Sequence, residues 1–252
     1  MIRWITAFLD TPAPRAVAAE EFWQVVTASS LSPRRGGGAF VTFVPDHGDP
    51  CLRAQVIENG TAGVHLDLHV DDLDAASPTA VDLGAEVVHT EPGLHVLRSP
   101  GRMPFCLVTW EGEHDVRPPV TVGGAVTSLD QVCLDIPESQ YDVEVAFWSG
   151  LTGWEVRQGL LPEFAWMPAG NVLPIRLLLQ RTRDADGDVR GHIDLAAGPT
   201  MREVATATRA HLALGATAGE AFEHWQVMAD PVGRTYCLTA RDPHAGRLRS
   251  SA

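Results

Sequence analysis

Hydrophobic and polar residues follow two different spacings along this chain, one typical of β-strands and the other typical of α-helices. Short segments such as 2–9 and 65–70 are apolar at every second position or nearly throughout, as half-buried or buried strands are. Segments such as 13–28 instead place Val17, Phe22 and Val26 at helical spacing. The order strand, helix, three strands recurs four times and predicts four βαβββ modules.

The same pattern predicts the individual elements of each half. In the first half, strands are expected at 2–9, 39–44, 52–57, 65–70, 86–89, 94–97 and 105–110, with helices over 13–28 and before Leu83, where Gly84 is a typical C-cap. In the second half, strands are expected near 131–136, 164–167, 175–181 and 193–196, with helices near 143–151 and from Met201 to Leu212.

The two halves repeat one another in order. His65-Leu-Asp-Leu is matched by His192-Ile-Asp-Leu, Leu83-Gly-Ala by Leu214-Gly-Ala, and the Phe22-Trp23 pair by Phe147-Trp148. A chance match would not keep its order over the whole chain, so the sequence indicates a duplication. The charged, Pro- and Gly-rich segment 111–125 marks the seam. We therefore predict one domain over 1–115, a linker over 116–125, a second domain over 126–242 and a tail over 243–252.

Composition narrows the class of function. The chain has 252 residues and a net charge of −13, a balance that disfavours binding to nucleic acid or to anionic membranes. All 19 basic residues are Arg, which suggests a GC-rich bacterial source and leaves no Lys for Schiff-base chemistry. No long apolar run or secretory leader is evident, and the four Cys form no CxxC motif. We expect a cytoplasmic protein with reduced thiols, either a monomer or a homodimer.

Three motifs resemble one known family. They are His65-Leu-Asp-Leu-His-Val-Asp-Asp72, Leu83-Gly-Ala85 and Asp230-Pro-Val-Gly-Arg-Thr-Tyr-Cys-Leu238, with a weaker copy of the last at Ser99–Leu107. Together they resemble the vicinal oxygen chelate superfamily, which includes glyoxalase I, bleomycin-resistance proteins and extradiol dioxygenases. The branch most similar has Cys in place of the last-strand Glu. The resemblance implies an α+β fold, with paired βαβββ modules forming two glyoxalase-like domains with cupped mixed sheets.

The resemblance also implies positions for metal ligands. His65 and His192 occupy the family's histidine position, while the positions of its other ligands hold weak or soft donors. A Gln carbonyl is a weak ligand and a thiolate favours soft ions, so we predict no intact metal site, although Zn, Ni, Mn or Fe stays open as a cofactor. The residues at these other positions are Cys106 and Cys237 on the closing strands, and Gln55 and Gln180 on the strand that ends the preceding module.

Strand alternation gives two of these histidines a carboxylate neighbour. His65 and Asp67 share one face of their strand, as do His192 and Asp194, and these four residues are the candidate catalytic groups. A His beside a carboxylate can serve as a general base. The alternative is that each pair only satisfies buried polar groups. Cys106 and Cys237 are small strand residues that can be buried and inert, and Trp110 could cover a pocket mouth.

Four hypotheses of function follow. The leading one is a glyoxalase/bleomycin-resistance-like protein that binds a small metabolite or drug in a cupped sheet, with Gln55, Cys106, Trp110, Gln180 and Cys237 lining its pockets. The main alternative is a divalent-metal-dependent lyase, isomerase or dioxygenase. A metal-free enzyme that uses the His–Asp pair and a purely structural role also stay open.

Overall fold

The structure is a computed structural model, which describes residues 1–168 and 173–245. The first half contains helices α1 (Ala16–Val26) and α2 (Leu73–Asp82). Its strands are β1 (Ile2–Pro12), β2 (Ser29–Leu31), β3 (Phe40–Pro45), β4 (Leu52–Ile57), β5 (Gly63–Val70), β6 (Glu86–Glu91), β7 (Leu94–Arg98) and β8 (Pro104–Thr109).

The second half contains helices α3 (Tyr141–Thr152) and α4 (Met201–Ala213). Its strands are β9 (Val120–Val122), β10 (Ala125–Ile136), β11 (Arg157–Gln158), β12 (Phe164–Met167), β13 (Arg176–Arg181), β14 (Arg190–Ala196), β15 (Thr217–Ala221), β16 (Trp225–Ala229) and β17 (Thr235–Thr239). Short 3-10 turns lie at Ala13–Arg15, Gly36–Gly38 and Glu138–Gln140.

Each half forms one mixed sheet, and the two sheets have the same strand order. The first runs β2-β3-β4-β1-β5-β8-β7-β6 and the second β11-β12-β13-β10-β14-β17-β16-β15, while β9 pairs only with β10. In both sheets the strand that begins a module pairs in parallel with the strand that closes it, β5 with β8 and β14 with β17. This identity of topology confirms the predicted duplication and the α+β class.

The helices begin and end where local chemistry favours it. The predicted helix over 13–28 is shorter, because Pro12 and Pro14 set up a 3-10 turn and α1 starts only at Ala16. Asp72 is the N-cap of helix α2, and its side chain accepts a 2.9 Å hydrogen bond from the Ala75 N–H. Gly153 is the C-cap of helix α3 and is a left-handed residue with φ 69°.

Contacts between residues divide the chain into two compact units, and each unit takes segments from both halves. Unit 1 consists of Met1–Phe8, Val64–Asp115 and Val132–Gly191, and unit 2 consists of Leu9–Gly63, Val116–Gln131 and His192–Ala252. This division by contact is separate from the division by sequence repeat. The domain boundaries inferred from the repeat therefore stay a prediction, and residues 246–252 of the predicted tail lie outside the described residues.

Each unit has an aromatic core built around a helix Trp. In unit 1, Phe105 lies 5.7 Å from Phe147 and 5.3 Å from Trp148, measured between ring centroids. In unit 2, Trp23 lies 5.3 Å from Tyr236. Trp23 and Trp148 have no exposed surface and are therefore core residues. Within the described ranges, no helix has the length and apolarity to cross a membrane.

Candidate functional site

A histidine, a carboxylate and a thiol meet on one face of the first sheet. Strand β5 supplies His65 and Asp67, and the parallel register places Asp67 directly beside Cys106 of β8. His65 Nε2 lies 3.6 Å from Asp67 Oδ1. The three residues expose only 8%, 5% and 8% of their surfaces, so the cluster is buried except at its edges.

The alternation of β5 explains why these side chains converge. Leu66 and Leu68 on the opposite face are fully buried, which fixes the pleat and sends His65 and Asp67 to the other side. Phe8 of β1 then stacks on the His65 ring, with centroids 4.6 Å apart and planes within 13°. The imidazole is therefore held between a carboxylate and an aromatic face.

The polar row on β5 continues beyond the predicted pair. His69, on the same face, is 3% exposed and lies with its Nε2 3.0 Å from Thr6 Oγ1. Its Nδ1 lies 3.3 Å from Glu113 Oε1. We identify this as a second imidazole–carboxylate pair in unit 1. Strand alternation places His69 on this face, but no sequence signal points to Glu113, because Glu113 follows β8 in a segment without strand periodicity.

The second half repeats the cluster with tighter spacing. His192 Nε2 lies 3.3 Å from Asp194 Oδ1 and 3.6 Å from Cys237 Sγ. The β14–β17 register places Asp194 directly beside Cys237, as Asp67 is beside Cys106. Asp194 is only 2% exposed, while His192 and Cys237 keep 7% and 6% of their surfaces exposed.

A series of hydrogen bonds connects Asp194 to Gln131 and Gln131 to Arg241. The Gln131 side-chain amide donates to Asp194 Oδ2, and Arg241 donates to Gln131 Oε1. Arg241 also forms an ion pair with Asp130 and donates a 3.0 Å hydrogen bond to Thr239 Oγ1. Gln131 corresponds to Thr6 in the repeat, so this network belongs to the second half. Sequence reasoning missed it because Gln131 lies 63 positions from Asp194 and 110 positions from Arg241.

The donor atoms of both clusters are close enough to share a metal ion. In each cluster one nitrogen, one oxygen and one sulfur all lie within 4.8 Å of one another. Asp67 Oδ1 and Asp194 Oδ1 are both buried and have no hydrogen-bond partner, which is costly for a carboxylate oxygen unless a cation faces it. Nitrogen, oxygen and thiolate sulfur are ligands that zinc accepts together. The residues present therefore fit a divalent ion of that kind.

The structure places the other predicted site residues as follows. Gln55 of β4 is half-buried and pairs across the strands with Phe40. Gln180 accepts a 3.7 Å hydrogen bond from Cys133 Sγ. Trp110, just after β8, donates a 2.9 Å hydrogen bond to the Glu113 carbonyl, and its ring lies 4.7 Å from the Arg3 guanidinium. The structure thus joins His, Asp and Cys in each half, while Gln55 lies beside Phe40, Gln180 contacts Cys133, and Trp110 contacts Glu113 and Arg3.

Sequence comparison identifies one family. The family profile described as a glyoxalase-like domain matches this chain twice, over residues 6–108 and 131–239. These matches cover most of both halves and coincide with the repeat. Among curated proteins, no sequence relative matches the chain.

Solved structures with a similar fold include several dioxygenases and a glyoxalase. The 2,2′,3-trihydroxybiphenyl 1,2-dioxygenase of Sphingomonas wittichii strain RW1 has a TM-score of 0.63 and 15% identity, covering 99% of this chain and 94% of that one. The 2,3-dioxygenase LapB of Pseudomonas sp. KL28 has a TM-score of 0.61 and 12% identity, covering 97% and 92%. The Mn(II)-bound glyoxalase of Novosphingobium aromaticivorans has a TM-score of 0.57 and 14% identity, covering 98% and 85%. At such identities the similarity shows the fold alone.

Proposed function

Because the chain belongs to the glyoxalase-like domain family of the vicinal oxygen chelate superfamily, with one domain copy in each half, we propose that it binds a small organic molecule at its His–Asp–Cys clusters. The observation that carries this proposal is the recurrence of the same three buried residues, in the same strand register, in both halves. A cupped sheet with a few polar anchors is a common form of small-molecule site.

Within each cluster the three side chains have different tasks. The imidazole and the thiol keep 6–8% of their surfaces exposed, so their edges contact the ligand, while the aspartate lies behind them. The carboxylate fixes the orientation of the imidazole, which then donates or accepts a hydrogen bond. Phe8 shields the His65 ring from water on one face. In the second half, Gln131 and Arg241 hold Asp194 in place.

A second candidate function is a divalent-metal-dependent lyase, isomerase or dioxygenase. Buried Asp67 Oδ1 and Asp194 Oδ1, which lack a hydrogen-bond partner, favour it, since a bound cation would satisfy both. The ion would be held by His65, Asp67 and Cys106, or by their second-half counterparts. When bound, it would supply Lewis-acid polarisation of substrate oxygen atoms. The thiolate makes each donor set softer than manganese prefers, and zinc fits better.

Metal analysis and ligand titration distinguish the two candidates. Protein purified without chelator is analysed for metals by elemental mass spectrometry, and catechol is then titrated calorimetrically into metal-depleted and zinc-loaded samples. Catechol binding by the metal-depleted protein, weakened by His65→Ala and His192→Ala but not by the exposed control His89→Ala, supports the first proposal. Binding that requires zinc favours the second candidate. No saturable binding in either sample contradicts both.

A further inference from the structure

Three arginines are buried among the described residues, and all three lie in unit 2. They are Arg117, Arg234 and Arg241, and Arg117 exposes 6% of its surface. Arg234 and Arg241 each form an ion pair with an aspartate, at 2.8 Å and 2.5 Å. Arg117 instead donates a 2.5 Å hydrogen bond to the Thr27 carbonyl oxygen, and it forms no ion pair with a carboxylate of the described residues. It differs from the other two in lacking a full counter-charge.

The groups around the Arg117 guanidinium compensate its charge only in part. Thr27 is the C-cap of α1, and the carbonyl end of a helix carries roughly half an elementary negative charge. The titratable neighbour of Arg117 is the Cys51 thiol, which is 1% exposed. Burial raises the pKa of Cys51 to about 11, so the thiol is neutral at pH 7 and supplies no counter-charge.

The Arg117 guanidinium also has hydrogen-bond donors that the protein does not use. A guanidinium carries five N–H donors, and only the Nη2 group of Arg117 has a hydrogen-bond acceptor within the described part of the chain. The 6% of the residue that stays exposed gives a small ion access to the other donors. Burying a charge without a counter-charge is costly, so an anion at these donors would stabilise the folded protein.

We propose that Arg117 binds a small inorganic monoanion of the size of chloride. A single guanidinium charge matches a single negative charge, and the small exposed area of Arg117 admits a small ion in preference to a large organic one. The net charge of −13 opposes anion binding, so we expect an affinity in the millimolar range. The proposal goes beyond the function proposed for the His–Asp–Cys clusters and uses none of their residues.

The test is thermal unfolding of the full-length protein while sodium chloride replaces sodium gluconate at constant ionic strength. We expect the melting temperature to rise saturably, by about 2–4 °C, because chloride binds the folded state. Arg117→Gln keeps an amide that can donate to Thr27 but removes the charge, and it should abolish the rise. The matched control is Arg35→Gln, since Arg35 is exposed and also donates to a neutral oxygen, the Thr42 hydroxyl. This control should keep the rise.

A second measurement does not depend on whether the Arg117 variant folds. Crystals of the unaltered protein are soaked in sodium bromide, and we expect an anomalous scattering peak beside the Arg117 guanidinium. Equal melting temperatures in chloride and gluconate, or bromide peaks without one at Arg117, would overturn the proposal. An unchanged rise with chloride in Arg117→Gln, shown to be folded by circular dichroism, would also overturn it. His65→Ala should keep the rise, so failure of the function proposed for the clusters is distinguishable from failure here.

Discussion

Each unit has a buried helix tryptophan at the same position of the repeat, and the indole N–H finds a different hydrogen-bond acceptor in each unit. In unit 2, the turn residue Asp230 accepts a 3.0 Å hydrogen bond from Trp23 Nε1. In unit 1, the corresponding turn residue is Ser99, and Trp148 Nε1 donates at 2.8 Å to Glu144 of its own helix. Both turns have the same backbone form: Asp230 N–H bonds to Arg234 O, and Ser99 N–H to Met103 O, each at 3.0 Å.

The charges around the two turns differ accordingly. In unit 2, Asp230 forms a fully buried 2.8 Å ion pair with Arg234, which also donates to Thr11 and to the Asp10 carbonyl. In unit 1, Met103 replaces that arginine, and Glu144 reaches across to accept from the Gly101 N–H. Burial raises the pKa of Glu144 despite its hydrogen bonds from Gly101, Ser99 and Trp148. The turn of unit 2 is thus held by the ion pair of Asp230 and Arg234, whereas the turn of unit 1 is held by the single buried carboxyl group of Glu144.

This comparison shows what the fold requires and what it leaves open. The requirement is an acceptor for the indole N–H and a partner for the turn backbone, since an unsatisfied buried donor is costly. Which residue provides the acceptor is free, so the first-half turn could lose its Asp. Ser99 stands where the second half has Asp230, and Glu144 provides the acceptor in its place, so the serine does not indicate a weakened turn.

The largest expected effect is at the ion pair. Asp230→Ala leaves Arg234 buried without its carboxylate and Trp23 without its acceptor, so the free energy of unfolding should fall by about 3–5 kcal/mol. Urea denaturation followed by circular dichroism measures this loss. A loss below that of the exposed control Asp142→Ala, whose carboxylate is 92% exposed, would show that the pair contributes nothing.

A second difference concerns pH. In unit 2, His211 is 1% exposed and bonds Tyr236 OH at 2.8 Å, whereas the corresponding residues of unit 1 are Ala80 and Phe105. Burial lowers the pKa of His211 to about 4 from 6.5. The unfolded chain therefore takes up a proton first as pH falls. Stability from this group is present above pH 6.5 and is lost as pH falls from there towards 4, by about 3 kcal/mol in total.

Thermal unfolding between pH 7 and pH 4 tests this difference. The His211→Ala/Tyr236→Phe variant, which copies the residues of unit 1, is less stable at pH 7 because of its cavity, but its stability should fall less steeply with acid. An equally steep fall in the variant would assign the acid sensitivity to other groups. The exposed His89→Ala variant serves as control.

The next effect is smaller and has the opposite dependence on pH. Glu144→Ala removes the acceptor of Trp148 and Gly101, and we expect a loss of about 1–3 kcal/mol in the free energy of unfolding. Because the folded pKa is raised, the stability that Glu144 contributes is fully present below its unfolded pKa near 4.5 and is lost as pH rises through the folded value. Urea titrations at pH 4.5 and 8 should therefore show a larger loss at the lower pH, and the reverse order would contradict this.

The smallest effect is expected when the turn carboxylate of unit 2 is introduced at the corresponding position of unit 1, where it should restore part of the lost stability. In a Glu144→Ala background, Ser99→Asp places a carboxylate where Asp230 stands in unit 2 and should recover about 1 kcal/mol of the lost stability. Ser99→Asn is the control for the added charge. A double mutant no more stable than Glu144→Ala would mean that the two turns are not interchangeable, despite their common backbone.

Local pattern and repetition predicted the order of elements and the duplication, while the α+β class and the cupped sheets followed from the family resemblance. Alternation identified β5 and placed His65 and Asp67 on one face, and the duplication predicted the second copy at His192 and Asp194. The thiols could be placed beside the aspartates only through the parallel register, which is long-range. The bond from Gly101 to Glu144 could not be predicted, because Gly101 lies on a turn in the other half of the chain, although Trp148, the other donor to Glu144, is four residues away on the same helix.

The composition of the two compact units has a consequence for how the protein folds during synthesis. Unit 1 needs the segment Val132–Gly191, and unit 2 needs His192 onwards. Neither unit can therefore be complete when only the first repeat has left the ribosome. Unit 1 becomes complete once Gly191 has emerged. The early segment Leu9–Gly63 of unit 2 then still lacks the segment from His192 onwards, and the apolar side chains that pack against that segment are exposed. Such a nascent chain is one that chaperones bind.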